Sequence, residues 1–137
     1  MRESFDAQPL MATIGARLAR VAAGEIEIRV PFRSDLTQQH GFLHAGVVAA
    51  ALDSACGYAA FTLMPEGAGV LSVEFKTNLL APARGEELIA RARVVRAGRT
   101  ITVSQGDATM LAGGQETAVA TMLATMMTVR DRADVVG

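Results

Sequence analysis

The chain has 137 residues, 50% hydrophobic and 20% charged, with a net charge of −1. That length fits one domain over residues 1–137, large enough for a single core without staples. The near-neutral balance offers no basic stripe for nucleic acid or an anionic membrane, and five Phe, one Tyr and no Trp leave few platforms for stacked bases.

The opening Met-Arg-Glu-Ser-Phe-Asp lacks the apolar stretch of a secretory leader. Cys56 is the single cysteine, so no intrachain disulfide is possible. The small apolar run Ala45–Cys56 is interrupted by Asp53 and falls far short of the roughly 20 residues that span a bilayer. The expected setting is reducing and cytoplasmic, with neither membrane nor nucleic acid as partner.

In chain order, residues 4–13 suggest a short helix with Phe5, Leu10 and Met11 as apolar contacts. Glu25–Phe32 alternates Ile26, Ile28, Val30 and Phe32 against Glu25, Glu27 and Arg29, the pattern of a half-buried strand. Pro31 marks its end or an edge position. Residues 33–44 read as a loop. Residues 45–63 have helical spacing, with Val48, Ala51, Leu52, Ala55, Ala59, Thr62 and Leu63 on one face, and Pro65 and Gly67 closing the run.

The remainder reads as strand. Val70–Leu80 sets Leu71, Val73, Phe75 and Leu79 against Ser72, Glu74, Lys76 and Asn78. After a turn at residues 81–85, Glu87–Arg96 places Leu88, Ala90, Ala92 and Val94 on one side. Ala97-Gly98 and Ala112-Gly113-Gly114 read as hairpin turns around a strand at Arg99–Leu111. Glu116–Val129 is apolar on both faces, as a central strand would be, with Met122, Met126 and Met127 as core filler. Residues 130–137 read as a frayed tail. The expected architecture is α+β: a strand, a long helix, then a four-strand antiparallel meander, the helix covering one face of a curved sheet.

The segment Gln38-Gln-His-Gly-Phe-Leu-His44-Ala-Gly46, feeding the helix that carries Asp53, holds the chemistry. The N–H groups of Ala45 and Gly46 are orphan donors of a first helical turn, at the positive end of the helix dipole, where a thioester or ester carbonyl would be polarised. The structural alternative is that His44 caps the helix and Gly46 relieves crowding. Asp53 lies among Ala49, Ala50, Cys56, Gly57 and Ala60, a face too small and uncharged for an ordinary exposed carboxylate. Desolvation there would raise its pKa and suit a general base, and a carboxylate also serves as a nucleophile. Asp53 is nine residues past His44, hence roughly 180° around the helix and about 13 Å along it. One chain cannot easily aim both groups at one carbonyl, so joint use of the two implies a dimer.

Other groups are weaker. A carboxylate one turn from Cys56 disfavours its thiolate. His40 and His44 lack a third metal ligand, and Gly41 argues against a helix beneath them. Ser72 and Ser104 have no nucleophile-elbow context.

These features together resemble the hot-dog-fold acyl-CoA thioesterases of the phenylacetate-pathway (PaaI) type, over roughly residues 10–130. The family pattern of an Asn or Gln, then His-Gly-Gly, then an acid on the helix reads here Gln38, His44-Ala45-Gly46 and Asp53. Ser72-Val-Glu-Phe75, Asn78-Leu-Leu-Ala-Pro-Ala83 and Arg96-Ala-Gly-Arg-Thr100 resemble the strand and turn segments that follow. The resemblance implies a long central helix wrapped by a curved antiparallel sheet of five to six strands. It implies a dimer, paired into a tetramer, with active sites between subunits and no cofactor beyond the CoA of the substrate. Asp53 would be nucleophile or general base, Ala45 the oxyanion donor assisted by Gly46 or the His44 side chain, and Gln38 the group orienting thioester or water. Ser72 would support Asp53, and Arg99 and Thr100 would meet the CoA phosphates. Ala45 departs from the pattern's first glycine; a positive φ there would disfavour alanine. The acyl group would be aryl or medium-chain, its pocket drawing on Phe42, Tyr58 or Phe61. A non-catalytic acyl-CoA-binding module and an enoyl or hydroxyacyl hydratase are the alternatives.

Overall fold

The structure is a computed structural model that describes all of residues 1–137. Six antiparallel strands form one sheet: β1 (Arg17–Ala22), β2 (Glu25–Pro31), β3 (Gly69–Leu79), β4 (Glu87–Ala97), β5 (Ile101–Ala112) and β6 (Gln115–Val129). The order across the sheet is β1-β2-β4-β5-β6-β3. Against its inner face lies the long helix α3 (Ala45–Phe61), preceded by two short helices, α1 (Arg2–Asp6) and α2 (Pro9–Ile14). The expected helix wrapped by a curved sheet is present.

The helix packs because its inner face is both apolar and small. Leu52, Ala55, Cys56 and Ala59 are fully buried, facing Leu88, Ala90, Met122 and Met126 of the strands in one continuous core. Approach is close enough that a Cβ on Gly106 of β5 would sit 3.0 Å from both Cys56 Sγ and Leu52 Cδ2. Met122 and Met126 are buried within this core, as filler chains should be, whereas Met127 is half-buried and lies outside it. No helix is long and apolar enough to cross a membrane.

Several expectations are corrected. The N-terminal helix is two pieces, because Pro9 forbids an N–H there and holds Gln8 extended at ψ 111°. Phe5 and Met11 are buried as expected, whereas Leu10 is exposed and Ile14 takes a core place. Strand β1 was not expected; only Leu18 of its six residues is fully buried, so it carries no clear alternation. Pro31 ends β2, which is an interior strand.

The four-strand meander is wrong in one respect. β4, β5 and β6 are consecutive neighbours, but β3 lies at the far edge, paired to β6, and β4 pairs with β2. The segment after β3 does not form a hairpin. It runs past the start of α3, where Leu43 N–H donates to Ala83 O at 2.8 Å, before β4 enters beside β2.

The second correction concerns β3 itself. Its register with β6 shifts between Ser72 and Glu74, so Ser72 opposes Met126 while Glu74 opposes Thr125. The extra residue, Val73, changes the parity of the alternation. Ser72 therefore shares the sheet face of Met126, Phe75 and Ala124, toward the helix, rather than that of Glu74 and Lys76.

Candidate active site

Helix α3 begins at a tightly organised loop. Gln38 N–H donates to Phe42 O, Gly41 N–H returns to Gln38 O, and Thr37 bridges Leu43. His44 is the N-cap, extended at φ −58° and ψ 137°. Its Nδ1 accepts from Gly46 N–H at 2.8 Å, so in the neutral ring the proton sits on Nε2 and points away from the helix as a second donor. His44 O takes the N–H groups of Val47 and Val48. Of the first-turn donors, Ala45 N–H is left without a protein partner. Capping and a free donor thus coexist: His44 and Gly46 complete the cap while Ala45 keeps its N–H open. Ala45 is helical with no positive φ, so an L-residue fits where glycine was the family pattern.

Gln38 is half-buried, and its Oε1 accepts from His40 N–H at 2.5 Å. That fixes the amide and leaves its NH₂ as the group available to a ligand. Gln38 and Ala45 open onto a largely apolar pocket of about 510 Å³, walled by Phe42, Val48, Leu79 and Pro82 among others. The Arg84 guanidinium lies 5.1 Å above the Phe42 ring at its edge.

Asp53 sits two turns down the helix, half-buried, and opens elsewhere. Ser72 Oγ donates to its Oδ1 at 2.7 Å, which orients the carboxylate and leaves Oδ2 without a protein partner. The pocket here is about 200 Å³ and includes Gln8, Ser54, Tyr58, Phe61 and Val70 with Asp53 and Ser72. Neither Ala45 nor Gln38 lines it, and Asp53 does not line the larger pocket. The structure therefore brings Asp53 and Ser72 together, brings Gln38, His44 and Ala45 together, and separates the two groups, as the helical angle required.

Arg99 and Thr100 lie exposed in the β4–β5 turn. Arg130 donates to Arg99 O at 2.9 Å, and Thr128 N–H to Thr100 O at 2.8 Å. Cys56 is buried, and burial, reinforced by the charges of Asp53 and Asp107, pushes its thiol up to about 12. It remains a neutral thiol at any physiological pH. No three His, Cys, Asp or Glu side chains converge as a metal cluster would.

Of the aromatic residues expected in a pocket, Phe42 lines the larger one and Tyr58 and Phe61 the smaller. Gln8 and Ser54 beside Asp53 were not singled out by sequence. Gln8 meets α3 across about fifty positions of chain, which no local pattern encodes; Ser54, adjacent to the acid, was at least in view.

Comparison with known proteins bears on what this arrangement does. The family described as the thioesterase superfamily matches residues 40–117. A thioesterase family protein of Silicibacter pomeroyi is 55% identical, superposes with a TM-score of 0.92, and the match covers 94% of this chain and 95% of that one. The PaaI protein of the E. coli phenylacetic acid degradation operon shares the fold at 16% identity, with a TM-score of 0.84 over 93% of this chain and 88% of that one. A Bacillus halodurans protein solved with CoA matches at 24% identity and a TM-score of 0.82, over 92% and 82% of the two chains.

Proposed function

Because this chain belongs to the thioesterase superfamily and has the hot-dog fold, we propose that this thioester hydrolase cleaves an acyl-CoA to free acid and CoA at a site shared by two subunits. Ala45 N–H and His44 Nε2–H of one subunit bind the carbonyl oxygen. Asp53 of the other acts through Oδ2, either removing a proton from water or attacking the carbonyl carbon itself to give an anhydride that water then opens. In both routes a C–O bond forms, the C–S bond breaks, and the thiolate of CoA leaves and takes up a proton. Gln38 orients the thioester through its amide NH₂, and Ser72 holds Asp53 in aim. The CoA complex of the Bacillus halodurans protein supports the choice of thiol.

The observation that carries this reading is the separation of the two half-sites into different pockets of one chain. A second supports the dimer. β3 is an edge strand of 11 residues whose inward Phe75 and Leu79 are 45% and 58% exposed. A long apolar edge without charge on that side is a pairing surface. Two copies joined there, and paired again into a tetramer, form the proposed assembly, acting in the cytoplasm without a cofactor.

The direct test is release of CoA thiol from a panel of aryl- and medium-chain acyl-CoAs by the wild type and Asp53→Asn. Loss of turnover by 10²-fold or more, the usual worth of a positioned acid–base group, is expected. Activity close to wild type would remove Asp53 from the chemistry.

A further inference from the structure

The two pockets differ in a way that assigns the ends of the substrate, given the shared thioesterase site proposed above. CoA carries phosphates, which need cations. No lysine or arginine lines the Asp53 pocket, whose one charged side chain is Asp53. The Ala45 pocket is apolar, and Arg84 stands beside its Phe42 wall without a carboxylate partner. The anionic end therefore approaches along the Ala45 side, and the acyl group passes Asp53 into the smaller pocket.

That pocket is neither large nor greasy at its end. At about 200 Å³ against about 510 Å³ on the Ala45 side, it favours a short acyl group over a long fatty chain. Tyr58 lies five residues beyond Asp53, about 7.5 Å along the helix. Its hydroxyl exchanges a hydrogen bond with Ser4 Oγ at 2.9 Å and accepts from Gln8 Nε2 at 3.1 Å. Gln8 Oε1 has only a long contact, 3.5 Å, to Ser54 Oγ. The Gln8 amide is thus held in place by Tyr58 while keeping an acceptor, and one further N–H, for a ligand.

We propose that Gln8, held by Tyr58, is a specificity-determining residue that selects short acyl groups whose far end carries a hydroxyl or another hydrogen-bonding group. A methyl-ended chain of equal length offers the Gln8 amide no hydrogen bond and is the poorer substrate.

The test uses the full chain and an isosteric pair, 6-hydroxyhexanoyl-CoA and heptanoyl-CoA, with thiol release as the readout. Wild type is expected to favour the hydroxylated substrate in kcat/KM by about tenfold, the worth of one well-made hydrogen bond. Gln8→Met should remove or reverse that ratio by lowering kcat/KM for the hydroxylated substrate. Tyr58→Phe, which keeps the volume but frees the amide, should lower the ratio without abolishing turnover, and stands as the test if Gln8→Met does not fold. Equal ratios in wild type and both variants overturn the inference. So does turnover of other acyl-CoAs with neither probe accepted. Absence of turnover with every acyl-CoA would instead overturn the thioesterase site on which the inference rests.

Discussion

Ser72 Oγ donates to Asp53 Oδ1 at 2.7 Å, and it reaches that oxygen because β3 gains a residue at Val73. Without the register shift between Ser72 and Glu74, either Ser72 or Phe75 would face away from the helix. The bulge lets one strand place a polar group on the carboxylate and an apolar one beyond it. Ser72→Ala should remove one hydrogen bond to a charged group, worth about 1.5–3 kcal/mol. The expected fall in kcat is about tenfold to a hundredfold with KM little changed, since the serine positions Asp53 rather than binding substrate. An unchanged kcat would show that Asp53 needs no such support.

Ala45 offers a cleaner probe of the oxyanion donor than side-chain variants do. It is the first residue of α3, and His44 before it is already extended at ψ 137°. Proline is tolerated at that helix position and favours that conformation in the residue before it. Ala45→Pro therefore deletes one N–H and leaves the helix standing. A kcat loss of about 10²–10³-fold with a Tm near wild type is expected; a fully active proline variant would exclude this N–H from the site.

His44→Ala separates two effects in the other direction. It removes the cap on Gly46 N–H, costing about 0.5–2 kcal/mol of stability, and removes the Nε2–H donor. Thermal denaturation should show the first and steady-state kinetics the second, whereas His44→Asn restores the cap and recovers the Tm alone. Recovery of activity with asparagine would assign His44 to capping only.

Cys56, one turn from Asp53, should be inert. With its thiol pushed up to about 12 by burial, alkylating reagents at neutral pH should leave it unmodified in the folded protein by mass spectrometry. Rapid modification with loss of activity would contradict its placement against Leu52 and Gly106.

On the sheet's outer face, Arg91 joins Glu27 at 2.9 Å and Glu116 at 2.6 Å. Hydrogen bonds from Arg91 and Thr109 hold Glu116 below its ordinary 4.5. Burial pushes Glu27 upward, but the hydrogen bonds and charges of Arg29 and Arg91 outweigh it and the result is again below 4.5. Carboxylates lowered on folding stabilise above their unfolded pKa, and that contribution is lost as pH falls through the lowered folded value. The Tm should therefore decline below about pH 4.5, and Arg91→Met should flatten that decline while costing about 0.2–1 kcal/mol per exposed pair at neutral pH. Identical acid profiles would remove the network from the acid sensitivity.

Much of this was legible in the sequence because it was local. Period-2 alternation located β2 and β4, flanking hairpin turns bracketed β5, a run apolar on both faces marked β6, and helical spacing located α3 to within two residues of its end. The helical angle from His44 to Asp53 foretold that one chain does not join the two. What was illegible was set by non-local terms. β1 holds one fully buried side chain and so has no pattern to read. The placement of β3 beside β6 depends on the path of residues 80–86 past the start of α3, not on any strand's own composition. Ser72 was assigned to the wrong face because a bulge inverts parity without altering the residues themselves. Gln8 reaches Tyr58 only once α1 and α2 have packed.

Subunit complementation addresses the shared site most directly. Asp53→Asn and Ala45→Pro chains, each inactive alone, are mixed under conditions where exchange is followed independently with tagged chains. If each site takes its acid from one subunit and its helix start from the other, half the dimers are mixed and each mixed dimer has one intact site, so activity should return to about a quarter of wild type. No recovery despite demonstrated exchange would contradict a site between subunits.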